Sequence, residues 1–387
     1  MQITDLTVEV RNANFERVGQ ITAEYLVGFT AVLRDKQIGS WSIPLPVGNT
    51  MAELLREPGA GIIVSTAQGT LLSGPTTAVI VNQETADPEG TYEISGVTDM
   101  TVLDERLAYP TPTTADVTAQ TTPYDIRNGV AETVIKEYVD ANIGPSAPLA
   151  RRIDGFTIEV DQARGNTVNG SARFDNLLEL ITGLADVGEV SFNVEQVGNG
   201  LQFQVTTATD RSATIRLDIY NGKLTRSEYA YSQPLSTRAI VGGAGTDATR
   251  VFLEHSTADS LDAENVWGRR IETFIDSSNT FVEAELQASA DEVLVKDGRT
   301  QVSASVSPTD DETMLFGVDW NLGDKVTVVI GSLELVAVVT EVGILISADG
   351  VRIGATVGEP KKLDYETQIL SRQNNQAVRI SKLERTK

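Results

Sequence analysis

Cysteine is absent from all 387 residues, which excludes disulfides, thiolate metal ligands and a cysteine nucleophile and leaves stability to packing and assembly. Histidine occurs once, at His255, so any Ser-His-Asp triad would have to use it and any zinc site would rest on carboxylates. Ser256, Thr257 and Asp259 stand beside it in sequence, but triad members converge from separate elements, and neighbourhood along the chain carries no such chemistry. His255 reads as a loop histidine. Long apolar runs are missing too: stretches such as Val326–Ile330 are strand-sized, far from the roughly 20 residues of a membrane helix. The opening residues alternate apolar and polar, with Asp5 and Glu9 where a secretion signal has Lys and then an unbroken apolar core. Folding in a cytoplasm, with no stable membrane insertion, is the expectation.

Positive charge is scarce: 31 Lys and Arg stand against 54 Asp and Glu, a net charge of −23. That balance argues against a nucleic-acid grip, which needs clustered Lys and Arg to displace condensed counterions. It serves solubility, or it provides an acidic wall past which DNA slides without sticking; both readings stand. The basic residues gather at one end. From Lys361 onward there are seven, against three acidic ones, which leaves +4 there and −27 on the remainder. A break in sequence pattern falls at the same place, so 359–387 is a separate terminal element.

Carboxylate pairs are unavoidable in so acidic a chain, and a glycosidase needs two facing each other across a cleft about 5–9.5 Å wide. Asp310, Asp311, Glu312, Asp319 and Asp324 read as acidic loops beside strands, without the alternation and central glycine of a calcium loop. Gly242-Gly243-Ala244-Gly245 lacks the glycine spacing and following helix of a dinucleotide fingerprint, and reads as a turn where backbones approach closely. No catalytic, metal-binding or cofactor-binding residue is assigned, no cofactor is called for, and no enzyme activity is expected. Trp267, Arg269 and Arg270, in NVWGRR, are candidates for a protein interface, because Trp and Arg concentrate at hot spots; a core tryptophan flanked by surface arginines fits them equally.

The length suits two to four domains. Residues 1–106 hold strand-length runs rich in β-branched residues, among them Tyr25–Leu33, Ile38–Leu45, Gly61–Ser65, Leu71–Val81 and Thr91–Val97. One helix interrupts them, capped by Asn49 and stopped at Pro58-Gly59. Residues 107–124 are a Pro- and Thr-rich linker. In 125–234, Val130, Val134 and Tyr138 repeat at helical spacing; Leu177, Leu178, Ile181 and Leu184 form the stripe of a second helix, with Asp175 as its cap. Gly198-Asn199-Gly200 marks a tight turn, and Asn221-Gly222 marks a second hairpin, between Thr214–Tyr220 and Leu224–Tyr231. Residues 235–358 read as a second barrel-like β unit, with strands at Lys325–Ile330, Leu333–Val342 and Val351–Val357.

In 359–387, Ile369, Gln373, Gln376, Ile380 and Leu383 follow a 4-3-4-3 spacing among polar residues, the seam of a left-handed coiled coil. The two glutamines cost stability and fix register. A lone amphipathic helix lying on its own domain is the other reading, and two heptads are marginal alone.

AIVGGAGTDATRVF and ENVWGRRIETFIDSSNT within Arg238–Thr280, IGSWSIPLP at Ile38–Pro46, AELLREPGAGIIV at Ala52–Val64 and ARFDNLLELITGLADVGEVSFNV at Ala172–Val194 resemble, in that order, the tail-tip (baseplate hub, minor tail protein) family of long-tailed phages. The resemblance spans nearly the whole chain. It implies a mainly β fold with two tail-tube-like β-barrels (1–106 and 235–358), an α+β domain between them and a C-terminal helix. It also implies a structural homotrimer that adapts a six-fold tail tube to a three-fold tip and forms the DNA passage. Its implied partners are further copies of itself, the distal tail protein and tail tube, the tape measure protein, and spike or receptor-binding fibre proteins, with DNA only as transit cargo. The implied location is the distal tail tip of the virion, assembled in the host cytoplasm. The alternatives are a tail-tip cell-wall or carbohydrate hydrolase and a carbohydrate-binding adhesin; the first needs paired carboxylates in a cleft, the second exposed aromatics.

Overall fold

The computed structural model describes residues 6–84, 87–218, 224–246, 249–278, 280–308, 314–330, 333–348 and 350–358. The terminal seam Ile369, Gln373, Gln376, Ile380 and Leu383 lies outside them, as do Asp310, Asp311 and Glu312.

The first stretch is built of β1 (Thr7–Arg11), β2 (Arg17–Ile21), β3 (Thr30–Arg34), β4 (Ser40–Pro46), helix α1 (Thr50–Leu55), β5 (Gly61–Thr66), β6 (Gly69–Glu84) and β7 (Asp87–Val97). Alternation places Trp41, Ile43 and Leu45 of β4 in the core. The side chain of Asn49 accepts from the amides of Met51 and Ala52 at 2.9 and 3.3 Å, which starts α1 where the sequence places it.

The middle stretch comprises α2 (Thr101–Asp104), β8 (Leu107–Ala108), β9 (Asp125–Val130), α3 (Ala131–Asn142), β10 (Phe156–Ile158), β11 (Thr167–Ala172), β12 (Asp175–Asn176), α4 (Leu177–Gly188), β13 (Val190–Val197) and β14 (Gly200–Thr207). Its strands form small separate sheets, β10-β14-β13, β9-β11 and β8-β12, and α3 and α4 close a core of their own that includes Ile135, Tyr138, Ile181, Phe192 and Phe203. Gly198 and Asn199 make the expected turn between β13 and β14, which pair from Val190↔Thr207 to Val197↔Gly200. The cap of α4 is Asn176, accepting from Glu179 N at 3.0 Å. Asp175 instead accepts from Arg173 N at 2.9 Å, because the chain is still extended in β12 at that residue.

The last stretch contains β15 (Arg216–Asp218), β16 (Leu224–Ser232), β17 (Arg238–Gly242), β18 (Phe252–His255), α5 (Ala258–Trp267), β19 (Glu272–Asp276), α6 (Glu283–Asp297), β20 (Gln301–Pro308), β21 (Lys325–Ile330), β22 (Leu333–Ser347) and β23 (Gly350–Gly358). Two expectations are corrected here. Asn221-Gly222 lies outside the described residues, and among the described ones the strands on either side of it take other partners: β15 runs parallel to β21, and β16 pairs with β20. The region read as all β carries α5 and α6 on a three-stranded sheet ordered β18-β17-β19.

The two ends of the chain meet. One 13-stranded sheet runs β16-β20-β23-β22-β3-β4-β7-β6-β5-β1-β2, with β21 and β15 branching from β22. Its junction is antiparallel pairing of β22 with β3, from Glu341↔Arg34 to Leu345↔Thr30. The long strands β6 and β22 each change partner midway, β6 from β5 to β7 and β22 from β21 to β3. A single core collects Val8, Trp41, Ile43 and Ile62 from one end and Leu217, Trp320, Val342 and Ile344 from the other. The fold is mainly β, but the expected closed barrels are absent among the described residues, because the strand path stays open and the two β regions bury their apolar faces together. Among these residues no helix is long and apolar enough to cross a membrane.

Candidate assembly surface

The three-stranded sheet has one face packed and one exposed. Ala239 and Val241 of β17 and Ile275 of β19 pack on Leu286, Ala290 and Leu294 of α6. Alternation turns Arg238, Ile240 and Gly242 the other way. In register beside them stand Glu254 and Phe252 from β18, and Glu272, Phe274 and Asp276 from β19. Phe252 is 58% exposed and Phe274 50%.

Arg250 lies between these rings, its guanidinium carbon 5.7 Å from each centroid. It donates to the carbonyls of Gly243 and Gly242 at 3.0 and 3.1 Å and pairs with Asp276. Glycine at 242 makes room for this: a Cβ there would stand 2.7 Å from Arg250 Nη2 and 2.8 Å from Phe274 Cζ. Gly242–Gly245 thus opens the connection from β17 towards β18, with Gly243 N donating to Val251 O at 2.8 Å.

The residues singled out in NVWGRR border this face. Helix α5 begins with a capping box between Thr257 and Ser260 and ends at Gly268, whose φ of +62° suits glycine. Trp267 is half-buried, and its Nε1 donates to Thr300 Oγ1 at 2.9 Å, fixing α5 to the start of β20. Arg269 reaches Gln233 Oε1 at 2.7 Å. Arg270 bridges Glu272 and Glu254 at 2.7 and 2.9 Å, across the exposed face. Arg238 binds Glu264, and its hydrogen bonds, with that of Thr237, hold the Glu264 carboxyl down at about 2. The charges of the face are therefore paired, around two half-exposed rings that flank the Arg250 guanidinium, an arrangement suited to protein contact. Phe252, Arg250 and Phe274 escape a sequence reading because only the docking of α6 decides which side of the sheet is covered.

Other candidates have structural work. His255 Nε2 meets Asp291 Oδ1 at 2.9 Å, tying β18 to α6. Asp319 accepts from Leu315 N at 2.7 Å, and Asp324 from Arg211 Nε at 2.7 Å and Asn321 N at 2.8 Å, so both organise turns. Among the described residues no cluster of three or more His, Asp or Glu is placed to hold a metal ion.

Two buried junctions fix the middle stretch to the large sheet. Arg11 donates to both oxygens of Asp99 and to Gln196 Oε1 of β13, while Ser73 Oγ donates to Asp99 and accepts from Gln196 N. On the other side, Lys36 pairs with Asp186 of α4 at 2.7 Å and Ser191 bonds Asp35. Burial pushes the Asp35 carboxyl up. Within the middle stretch, Glu132 is fully buried at the start of α3 and accepts from Lys136, Arg164 and the amides of Gln162 and Arg164, which locks the loop before β11.

The family profile described as Siphovirus ReqiPepy6 Gp37-like protein matches residues 7–359. Among solved structures, the chain is similar to the 43 kDa tail protein of prophage MuSo2 from Shewanella oneidensis, with 12% identity and a TM-score of 0.57 over 93% of this chain and 99% of that one. It is also similar to a tail protein from Neisseria meningitidis (12%, TM-score 0.56, covering 92% and 97%). A third similarity is to prophage tail protein gp18 from Listeria monocytogenes (11%, TM-score 0.55, covering 97% and 99%). At such identities the likeness is one of fold. No curated protein matches the sequence.

Proposed function

The chain belongs to the Siphovirus ReqiPepy6 Gp37-like family of phage tail proteins, and from that premise we propose that it is the baseplate hub at the distal end of a siphovirus tail, acting as a structural homotrimer. In this role three copies form a ring beneath the tail tube, adapt its six-fold symmetry to a three-fold tip and leave a passage for DNA and the tape measure protein. The distal tail protein and tube contact the ring from above; spike or receptor-binding fibre proteins continue it below.

The observation that carries this reading is the pairing of β22 with β3. It joins the first and last β regions of each chain into one rigid body, so that three chains present six β regions in fixed relation. A ring interposed between six-fold and three-fold neighbours needs that property. The net charge of −23 supports a wall that DNA passes without binding. The seam Ile369, Gln373, Gln376, Ile380 and Leu383 supports a three-fold bundle directed at the tip proteins.

The test is the solution mass by light scattering, for the full chain and for a chain ending at Glu359. Three times the 41.6 kDa subunit mass supports the hub, and its loss on truncation gives the seam its role. Dissociation by Ile369→Asp with Ile380→Asp is expected on the same grounds. A strict monomer that also fails to bind purified tail tube or distal tail protein overturns the proposal.

A further inference from the structure

Two arginines are buried among the described residues, Arg11 and Arg151. Arg11 meets both oxygens of Asp99. Arg151, 8% exposed in the loop that follows α3, meets no carboxylate among the described residues. Its Nη2 donates to the carbonyl of Leu107 at 2.8 Å and to Asn142 Oδ1 at 2.9 Å, and its guanidinium carbon stands 3.4 Å from the centroid of the Tyr109 ring. These partners, with the C-terminal end of α3, offer partial charge only. Nη1 is buried and has no hydrogen-bond partner among the described residues.

A guanidinium keeps its proton inside a protein, so burial cannot neutralise Arg151 as it would a lysine or a glutamate. Burial nevertheless pushes its pKa down, and the charge of Arg106 acts in the same direction. Arg106, half-buried next to β8, is thus a second cation close by, and it too has no ion pair among the described residues. A buried charge without a partner is costly, yet carboxylates are plentiful here: the chain has 54 against 31 Lys and Arg. In the same stretch Arg127 pairs with Asp125, and Arg164 with Glu132. The fold supplies counter-charges to these two and leaves Arg106 and Arg151 without one.

We propose that Arg151 and Arg106 together hold a small oxyanion, a phosphate or a carboxylate group, which supplies the missing negative charge and accepts from Nη1. The planar guanidinium fork matches either group through parallel N–H···O bonds. Stacking on Tyr109, itself edge-on to Phe174 at 5.0 Å, holds the fork in place for the anion. The site lies close to the surface, since Leu107, whose carbonyl Arg151 binds, is 44% exposed. Entry takes a side-chain movement of Arg106 or Tyr109, both half-buried rather than enclosed. A water at Nη1 meets the hydrogen bond but leaves the charge unpaired.

The test follows the thermal midpoint of the full chain as sodium phosphate or sodium acetate replaces sodium chloride at constant ionic strength and neutral pH, in the native chain, Arg151→Met and Arg106→Gln. In the native chain the midpoint is expected to rise and saturate, as it does when a ligand binds the folded state alone. Arg106→Gln is expected to raise the half-saturating concentration about tenfold, and Arg151→Met to abolish the rise. A rise with phosphate alone assigns the site to a phosphate group; a rise with both salts assigns it to carboxylates as well. An arginine with only a structural role destabilises equally with and without the anion, whereas Arg151→Met is expected to lie nearest the native chain where the anion is absent. Should Arg151→Met fail to fold, Arg106→Gln carries the comparison. No saturating rise in the native chain overturns the proposal and leaves Nη1 to a bound water. The same rise in the native chain and the variants, which is the general effect of phosphate on protein surfaces, overturns it too.

Discussion

Arg11 and Asp99, 88 residues apart in sequence, face each other through two hydrogen bonds of 2.8 and 2.5 Å with both side chains 2% exposed. The pair is the centre of the joint between the large sheet and β13, since Arg11 also donates to Gln196 Oε1 and Asp99 also accepts from Ser73 Oγ. Removing one partner strands the other charge in the interior. Asp99→Ala is expected to cost about 3–5 kcal/mol, measured by urea denaturation. Arg11→Met with Asp99→Leu, which removes both charges, is expected to cost less than the single change.

Glu132→Gln is expected to destabilise by about 2–3 kcal/mol, the net worth of hydrogen bonds to a charged group. Burial alone would raise this carboxyl, but the hydrogen bonds of Arg164 and Lys136 and of the amides outweigh it and hold it far below the ordinary glutamate range. The specific sign is faster hydrogen exchange at the Gln162 and Arg164 amides, which donate to Glu132 in the native chain.

The α5 clamp predicts a pH dependence. Glu264 falls from an ordinary value of 4.5 to about 2 in the folded chain, first through hydrogen bonds from Arg238 and then from Thr237. A depressed carboxyl contributes stability that is complete above the unfolded value and is lost as pH falls through the folded one. Carboxyl carbon NMR should show Glu264 still ionised at pH 3, and Glu264→Gln should narrow its stability gap to the native chain between pH 4.5 and 2.

At Gly96 an added Cβ would stand 2.1 Å from the Pro75 carbonyl and 2.4 Å from the Trp41 ring. Gly96→Val is therefore expected to cost about 1–3 kcal/mol or more through overpacking. The check is the thermal midpoint together with Trp41 fluorescence. Gly268→Ala, at a left-handed helix end open to solvent, is expected to cost about 1 kcal/mol.

What the sequence made legible was local. Asn49 caps α1, the 3.6-residue spacing of Val134 and Tyr138 marks α3, and Gly198-Asn199 turns β13 into β14, because each rests on neighbours within a few residues. Helix α5 escaped because it buries only Ser260 and Ala263 and so has no apolar stripe; Thr257, Ser260 and Gly268 were its remaining signals. The union of β3 with β22 left no trace, since an alternating strand reads the same whichever partner it takes. Trp267 and Arg270 led to the border of the exposed face, but Phe252 and Phe274 at its centre are ordinary strand residues until α6 is placed.

The pairing of β3 with β22 also sets a clock. Arg34 reaches Glu341 across 307 residues at 2.8 Å, so on the ribosome the third strand to be made must wait for one that is made 307 residues later. At about 5–20 residues per second, that interval is roughly 15–60 s. During it the middle stretch, with a core of its own, is free to fold, while the edge of β3 stays open to any passing strand. Nascent chains crowded on one message are thus the setting in which this protein is most exposed to pairing with the wrong copy.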